Sequence, residues 1–249
     1  MLGEGEAVMR ILIIRHGDPD YSINSLTHVG WEEAEALSER LMKTDIDAVY
    51  LSPLGRAQDT AKPYLEKSGK KAETLDFLRE FSPRVIKPDA EKRGVAWDWL
   101  PGDFATRDYF FDKDAWYTAP EFSEASVKEE YDRVCEAFDE LIARHGYKRC
   151  GRVYRAVRPN HDTILLVCHF GVEAVLLSHL FSVSPMTIWH STCALPTSVT
   201  TLYTEERREG IAYFRMSAFG DTSHLYAKEM EPSFAARFCE CYTDDTRHD

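Results

Sequence analysis

The chain has 249 residues, enough to bury a large core and close to the size at which a single core stops growing. Apolar residues make up 44% and charged residues 29%, which excludes disorder as the main state. Acidic residues outnumber basic ones 42 to 30, and the net charge of -12 disfavours generic binding to nucleic acid or an anionic membrane, while leaving room for a local cationic pocket.

In chain order, Met1 to Met9 carries Glu4 and Glu6 without an apolar stretch and does not read as a secretory signal. The branched run Ile11-Leu12-Ile13-Ile14 suits a strand buried on both faces, spanning Met9 to Arg15. Thr27 is a candidate helix cap, followed at near-helical spacing by Trp31, Ala34, Leu37 and Leu41. Ala48 to Leu51 reads as a strand, Leu54 to Lys67 as a helix kinked at Pro63, and Glu73 to Phe77 as a third strand. Strand and helix alternate, so parallel strands covered by helices are expected.

Residues 81–125 break this rhythm, with four prolines and ten aromatics, three of them the tryptophans Trp97, Trp99 and Trp116. A disordered linker would be poor in rings, so the segment is expected to be a folded insertion or lid within a single domain of residues 1–249. Val127, Tyr131, Val134, Phe138 and Leu141 then repeat at helical spacing. Val153 to Val157, a turn over Arg158 to Asp162, and Thr163 to Cys168 read as strand, turn and strand. Val172 to Phe181 reads as an apolar helix, and Val199 to Tyr203 with Ala212 to Met216 as a hairpin. No run reaches the roughly 20 apolar residues of a membrane span. Of the six cysteines, Cys239 and Cys241 stand close but lack a second half-site, so reduced, mostly buried thiols in a cytoplasmic protein are expected.

Two histidines occupy equivalent places. His16 follows the first buried strand in Arg15-His16-Gly17, and His169 follows another in His169-Phe170-Gly171. Ligands of open α/β sheets bind beyond the carboxyl ends of the strands, so the two could face each other across one site. A third strand end supplies Ser52 to Thr60, with Arg56 in the first turn of the next helix.

Taken together, Arg15-His16-Gly17, Ser52 to Thr60 and His169-Phe170-Gly171 resemble the histidine phosphatase superfamily, whose fold is that of the phosphoglycerate mutases. Leu26-Thr27 with Gly30, and Leu78-Arg79-Glu80, match its order as well. The resemblance spans roughly Met9 to Glu80 and Thr163 to Met216. It implies a three-layer α/β/α sandwich around a mixed, mainly parallel sheet. It also implies phosphoryl transfer through a phosphohistidine, without a metal or other cofactor.

The residues suit that chemistry on their own terms. Charge spread over three phosphoryl oxygens calls for fixed donors, and Arg15 and Arg56 each offer a planar, bidentate fork. Neutral His16 attacks phosphorus through one ring nitrogen if an acceptor fixes the N–H of the other, and adjacent guanidinium groups favour that neutral form. His169 serves as a donor to the phosphoryl oxygens, aided by backbone N–H groups at its helix start. The resemblance points to Glu80 as the acid that protonates the leaving oxygen, with Asp18 as its competitor. His161, His179 and His190 show no metal-ligand spacing and read as structural or exposed, while His224 could return to the site. The expected activity is hydrolysis of a small phosphomonoester. A phosphoglycerate-mutase-type phosphotransferase and a catalytically inactive binding module are the alternatives.

Overall fold

The computed structural model describes residues 8–88, 90–234 and 241–243; the N-terminal start and Cys239 lie outside them. Eight strands form the main sheet: β1 (Arg10–Arg15), β2 (Ala48–Leu51), β3 (Ala72–Thr74), β4 (Tyr147–Cys150), β5 (Val153–Ala156), β6 (Thr163–Cys168), β7 (Val199–Arg208) and β8 (Ile211–Asp221). Their spatial order is β3-β2-β6-β1-β7-β8-β5-β4. The first four in that order run parallel, and the remaining pairs are antiparallel.

Five longer helices cover the sheet: α1 (His28–Leu41), α2 (Gly55–Ser68), α3 (Val127–Arg144), α4 (Phe170–Phe181) and α5 (Pro185–Ser191). Period-2 alternation assigns the core residues to two faces. Leu12 and Ile14 of β1 and Leu165 and Val167 of β6 pack with Leu37 and Leu41 of α1 and Ala57, Ala61 and Tyr64 of α2. Ile11, Ile13, Ile164 and Leu166 join the opposite cluster, with Tyr131 and Phe138 of α3 and Val172 and Leu176 of α4. A strand with apolar residues at every position is thus buried from both sides, which makes β1 and β6 the sheet's centre.

Thr27 caps α1 as its position predicts, accepting from the Gly30 N–H. Pro63 lies inside α2, where it removes one ladder donor. β5 pairs with β4 and, through Arg155↔Ile211 and Tyr154↔Ala212, with β8. Its alternating exposure suits the outer half of the sheet, whereas all-buried β6 takes the slot between β1 and β2. One expectation is corrected: the third strand, expected over Glu73 to Phe77, ends at Thr74 and gives way to a 3-10 turn over Asp76–Leu78, which swings Phe77 and Leu78 into the core.

Between Arg79 and Ser126 the chain makes only a two-residue strand pair and helical turns of three or four residues. Rings supply the cohesion. Trp99 lies against Phe110 and Phe122, with centroids 5.2 and 5.7 Å away, and Trp116 against Tyr131 of α3 and Trp189 of α5, at 5.1 and 6.0 Å. Among the described residues, no helix is long and apolar enough to cross a membrane.

Candidate active site

The register of the two central strands builds the site. β1 and β6 pair with Arg15 opposite Cys168, and the His16 N–H donates to the Cys168 carbonyl at 3.0 Å. The next residue along each strand is a histidine, and the His16 and His169 rings meet with centroids 5.0 Å apart. On the other side of β6, Leu51 pairs with Val167 and brings Ser52 alongside His169. Three strand ends therefore converge on one place, at the edge the sequence predicts.

Each histidine has its tautomer set by a neighbour. His16 Nδ1–H donates to the Gly17 carbonyl at 2.7 Å, which leaves the lone pair on Nε2. Burial, then the Arg15 and Arg56 charges, hold the His16 pKa well below its usual 6.5. The Ser52 hydroxyl lies 2.7 Å from His169 Nε2 and accepts the Leu54 N–H at 3.2 Å. Among the described residues the Ser52 O–H has no other acceptor, so it points to Nε2 and leaves the proton of His169 on Nδ1. Burial is again the main cause that keeps His169 neutral, followed by His16, Arg56 and Arg15.

Three buried donors in this cluster have no acceptor: Arg15 Nε, Arg56 Nε and His169 Nδ1. Donors without partners in a buried site fit a multivalent anion. Arg15 is anchored by donating to the Ala194 carbonyl at 2.7 Å, and Arg56 by donating to Asn24 Oδ1 at 3.1 Å beneath the Tyr21 ring.

Glu80 approaches from the far side. Its Oε1 accepts from the Phe81 N–H at 2.8 Å and the Val172 N–H at 3.1 Å, while Oε2 carries no hydrogen bond. Burial raises its pKa, and the two backbone donors and the arginines only partly offset this. Gly171 makes the approach possible, since a Cβ there would fall 2.5 Å from both Glu80 Oε1 and Trp97 Nε1. Gly30 serves the opposite wall, where a Cβ would fall 2.3 Å from the Asp18 carbonyl.

Other candidates lie elsewhere or are occupied. The Asp18 carboxylate takes the Thr27 hydroxyl at 2.6 Å and its N–H donates to Glu33, so it is built into the start of α1. Of the three tryptophans, Trp97 borders the site, where it donates to the Phe81 carbonyl and packs edge-on against Phe170. Trp99 and Trp116 are buried among other rings of residues 81–125. His179 pairs with Asp139, His190 accepts the Trp99 N–H, and His161 is exposed. His224 is buried and bonded to the Thr197 hydroxyl at 3.1 Å. Cys135 and Cys168 are buried but Cys150 and Cys241 are exposed, so burial of the thiols is only partial. Among the described residues, no group of three or more His, Cys, Asp or Glu could hold a metal ion.

Sequence reasoning missed two groups. Ser52 stood inside a recognised segment without a role, and only the β2–β6 register reveals its bond to His169. Glu173, in the first turn of α4, is fully buried beside Thr200, and its pKa is pushed up to about 7 by burial, which Thr200 and the Arg15 charge only partly offset. Nothing local marks it, because it falls in an otherwise ordinary helical pattern.

The sequence profile of the histidine phosphatase superfamily, branch 1, matches residues 11–216. A Schizosaccharomyces pombe protein named as a probable phosphatase is 24% identical, over 89% of this chain and 97% of its own. Phosphoserine phosphatase from Entamoeba histolytica, solved with phosphoserine, superposes with a TM-score of 0.59 at 19% identity, covering 87% of this chain and 99% of that one. A mycobacterial glucosyl-3-phosphoglycerate phosphatase gives 0.56 at 20% identity, covering 86% and 99%. With the profile spanning both histidine segments and the strands that bring them together, this chain belongs to the histidine phosphatase superfamily, branch 1.

Proposed function

We propose that the protein hydrolyses a small phosphomonoester by passing the phosphoryl group through His16. The observation that carries this reading is the His16 ring, with Nδ1–H pinned to Gly17 and Nε2 bare beside three unpartnered donors. Arg15, Arg56 and His169 Nδ1–H bind the phosphoryl oxygens and take up charge as it moves onto them. His16 Nε2 forms a bond to phosphorus as the bond to the leaving oxygen breaks. Glu80 Oε2 gives its proton to that oxygen. The resulting carboxylate then takes a proton from water as the water oxygen attacks phosphorus and the P–N bond breaks. Inorganic phosphate leaves, and both His16 and Glu80 return to their starting forms.

Glu80 is better suited to the acid role than Asp18. Its Oε1 is occupied by two backbone donors, so the proton resides on Oε2, and burial keeps it there nearer neutrality. Trp97 beside Glu80, and the exposed Tyr21 against Arg56, favour an apolar or ring-bearing leaving group. The segment 81–125 then acts as a lid chiefly through its Trp97 end. The two phosphatases that share the fold act on phosphoserine and glucosyl-3-phosphoglycerate, consistent with a small phosphorylated metabolite here. The buried free thiols Cys135 and Cys168 support a reducing, cytoplasmic setting.

The test is a panel of radiolabelled phosphomonoesters with wild type and His16→Ala, in the presence and absence of a chelator. Turnover by wild type, with trapped label that is acid-labile and alkali-stable and absent from His16→Ala, is the expected result. Near-normal turnover by His16→Ala, or dependence on a metal, would overturn the mechanism.

A further inference from the structure

Behind the two catalytic strand ends runs the loop 192–198, which joins α5 to β7. It holds the histidine turn at two points: the Ala194 carbonyl accepts from Arg15, and the Thr197 N–H donates to the His16 carbonyl at 3.3 Å. A Cβ on Gly17 would lie 3.4 Å from the Thr197 methyl group, so Thr197 also backs directly onto the turn.

Thr197 is fully buried and adopts φ 56°. That is a genuine outlier for a β-branched residue, and such strain persists only where surrounding structure enforces it. The Thr197 side chain is met from outside the loop by His224. The Thr197 hydroxyl donates to the Pro196 carbonyl at 2.8 Å and accepts from His224 Nε2 at 3.1 Å. On the other edge of the ring, Arg40 approaches His224 Nδ1 at 3.5 Å. A guanidinium has only donors, so Nδ1 is the acceptor and the imidazole proton is fixed on Nε2, toward Thr197. Arg40 is in turn held by Asp221, through the Oδ2 carboxylate oxygen at 2.7 Å and the backbone carbonyl at 3.2 Å. Arg40 Nη1 also reaches Ser223 Oγ at 3.3 Å, so Arg40 is held on several sides, and the series Asp221, Arg40, His224 and Thr197 ends on the backbone of His16.

We infer that His224 is a positioning residue: it clamps Thr197 in its left-handed conformation, and Thr197 in turn holds the Arg15-His16 turn in line for attack on phosphorus. The inference rests on the His16 reading above. It assigns a role that His224 exerts through Thr197.

The experiment uses His224→Leu, which keeps bulk without a donor, His224→Gln, which keeps an N–H, and the pair Thr197→Asn with His224→Leu. Asparagine adopts positive φ far more readily than threonine, so it needs no clamp. With p-nitrophenyl phosphate, His224→Leu should lose about 10- to 100-fold in kcat with little change in KM, since small misplacements of reacting groups cost that much. His224→Gln should stay near wild type, and Thr197→Asn should restore most of the loss. A second readout needs no turnover: the proton resonance of His16 Nδ1–H should shift or broaden in His224→Leu and return in the double variant. Unchanged kcat and resonance in His224→Leu, or losses that Thr197→Asn does not repair, would overturn the inference. If wild type hydrolyses no phosphomonoester, the functional reading fails, while the resonance series still decides whether His224 positions His16.

Discussion

At the strand ends, Arg15, His16, Ser52 and His169 extend from backbone locked in a parallel ladder, and each side chain has its orientation set by a named hydrogen bond or anchor. From Phe81 to Ala125, by contrast, the described residues make only short turns and a two-residue strand pair, and edge-on and tilted rings do the work that ladders do elsewhere. Hydrogen bonds are directional and fix atoms to within tenths of an ångström, whereas ring packing is broad and tolerates substitution. On the proposed mechanism, reaction geometry resides in the first region, and the shape of what surrounds the leaving group in the second. Glu80, Gly171 and Trp97 are where the two meet.

The sharpest way to break this contrast is to remove the attacking ring. His16→Ala should lower turnover by at least about 10³-fold with the melting temperature nearly unchanged, because a residue at a strand end contributes little core. Glu80→Gln comes next: a loss of about 10²- to 10³-fold for alkyl phosphates, but much less for p-nitrophenyl phosphate, whose leaving group needs no proton. Equal losses for both esters would show that Glu80 is not the acid.

The tryptophans sharpen the comparison within the aromatic region. Trp116→Ala should cost about 3–5 kcal/mol of stability, read by denaturant melts, because the ring is enclosed on all sides. Trp97→Ala should cost far less stability and instead change the ranking of phosphomonoesters more than it changes inhibition by inorganic phosphate. If Trp97 and Trp116 behave alike, the segment is a structural elaboration with no part in selection.

The smallest expected effect concerns Glu173. Its folded pKa of about 7 lies above the usual 4.5, mainly because of burial. Below pH 4.5 the group is protonated in both folded and unfolded chains and costs nothing. As pH rises toward 7 only the unfolded chain loses the proton, so stability falls, by on the order of 3 kcal/mol once the folded group ionises. Glu173→Gln should remove this slope and raise the melting temperature more at pH 8 than at pH 4.5. An equal gain at both values would mean that Glu173 is not a buried acid.

Much of this was legible in the sequence, for definite reasons. Branched apolar runs at Ile11 to Ile14 and Ile164 to Cys168 mark central strands, and a histidine after each marks the site. What the sequence concealed depended on register or on distant packing. The partner of Val153 to Ala156 could not be told from adjacency, since β8 lies far along the chain. Ser52 and Glu173 acquire meaning only when β2, β6 and α4 are assembled. The strain at Thr197 has no local signature at all, because threonine is an ordinary residue before a strand.

The bond from Arg15 to the Ala194 carbonyl spans 179 residues, and that from Ser52 to His169 spans 117. During synthesis at about 5–20 residues per second, Arg15 waits roughly 10 to 40 s for its anchor to be made. Until then the guanidinium and His16 remain hydrated at the end of an unfinished sheet, and no fragment ending before Ala194 contains a complete phosphate cradle. On the proposed mechanism catalytic competence therefore arrives late, so a nascent or truncated chain carries His16 without the anchor of Arg15.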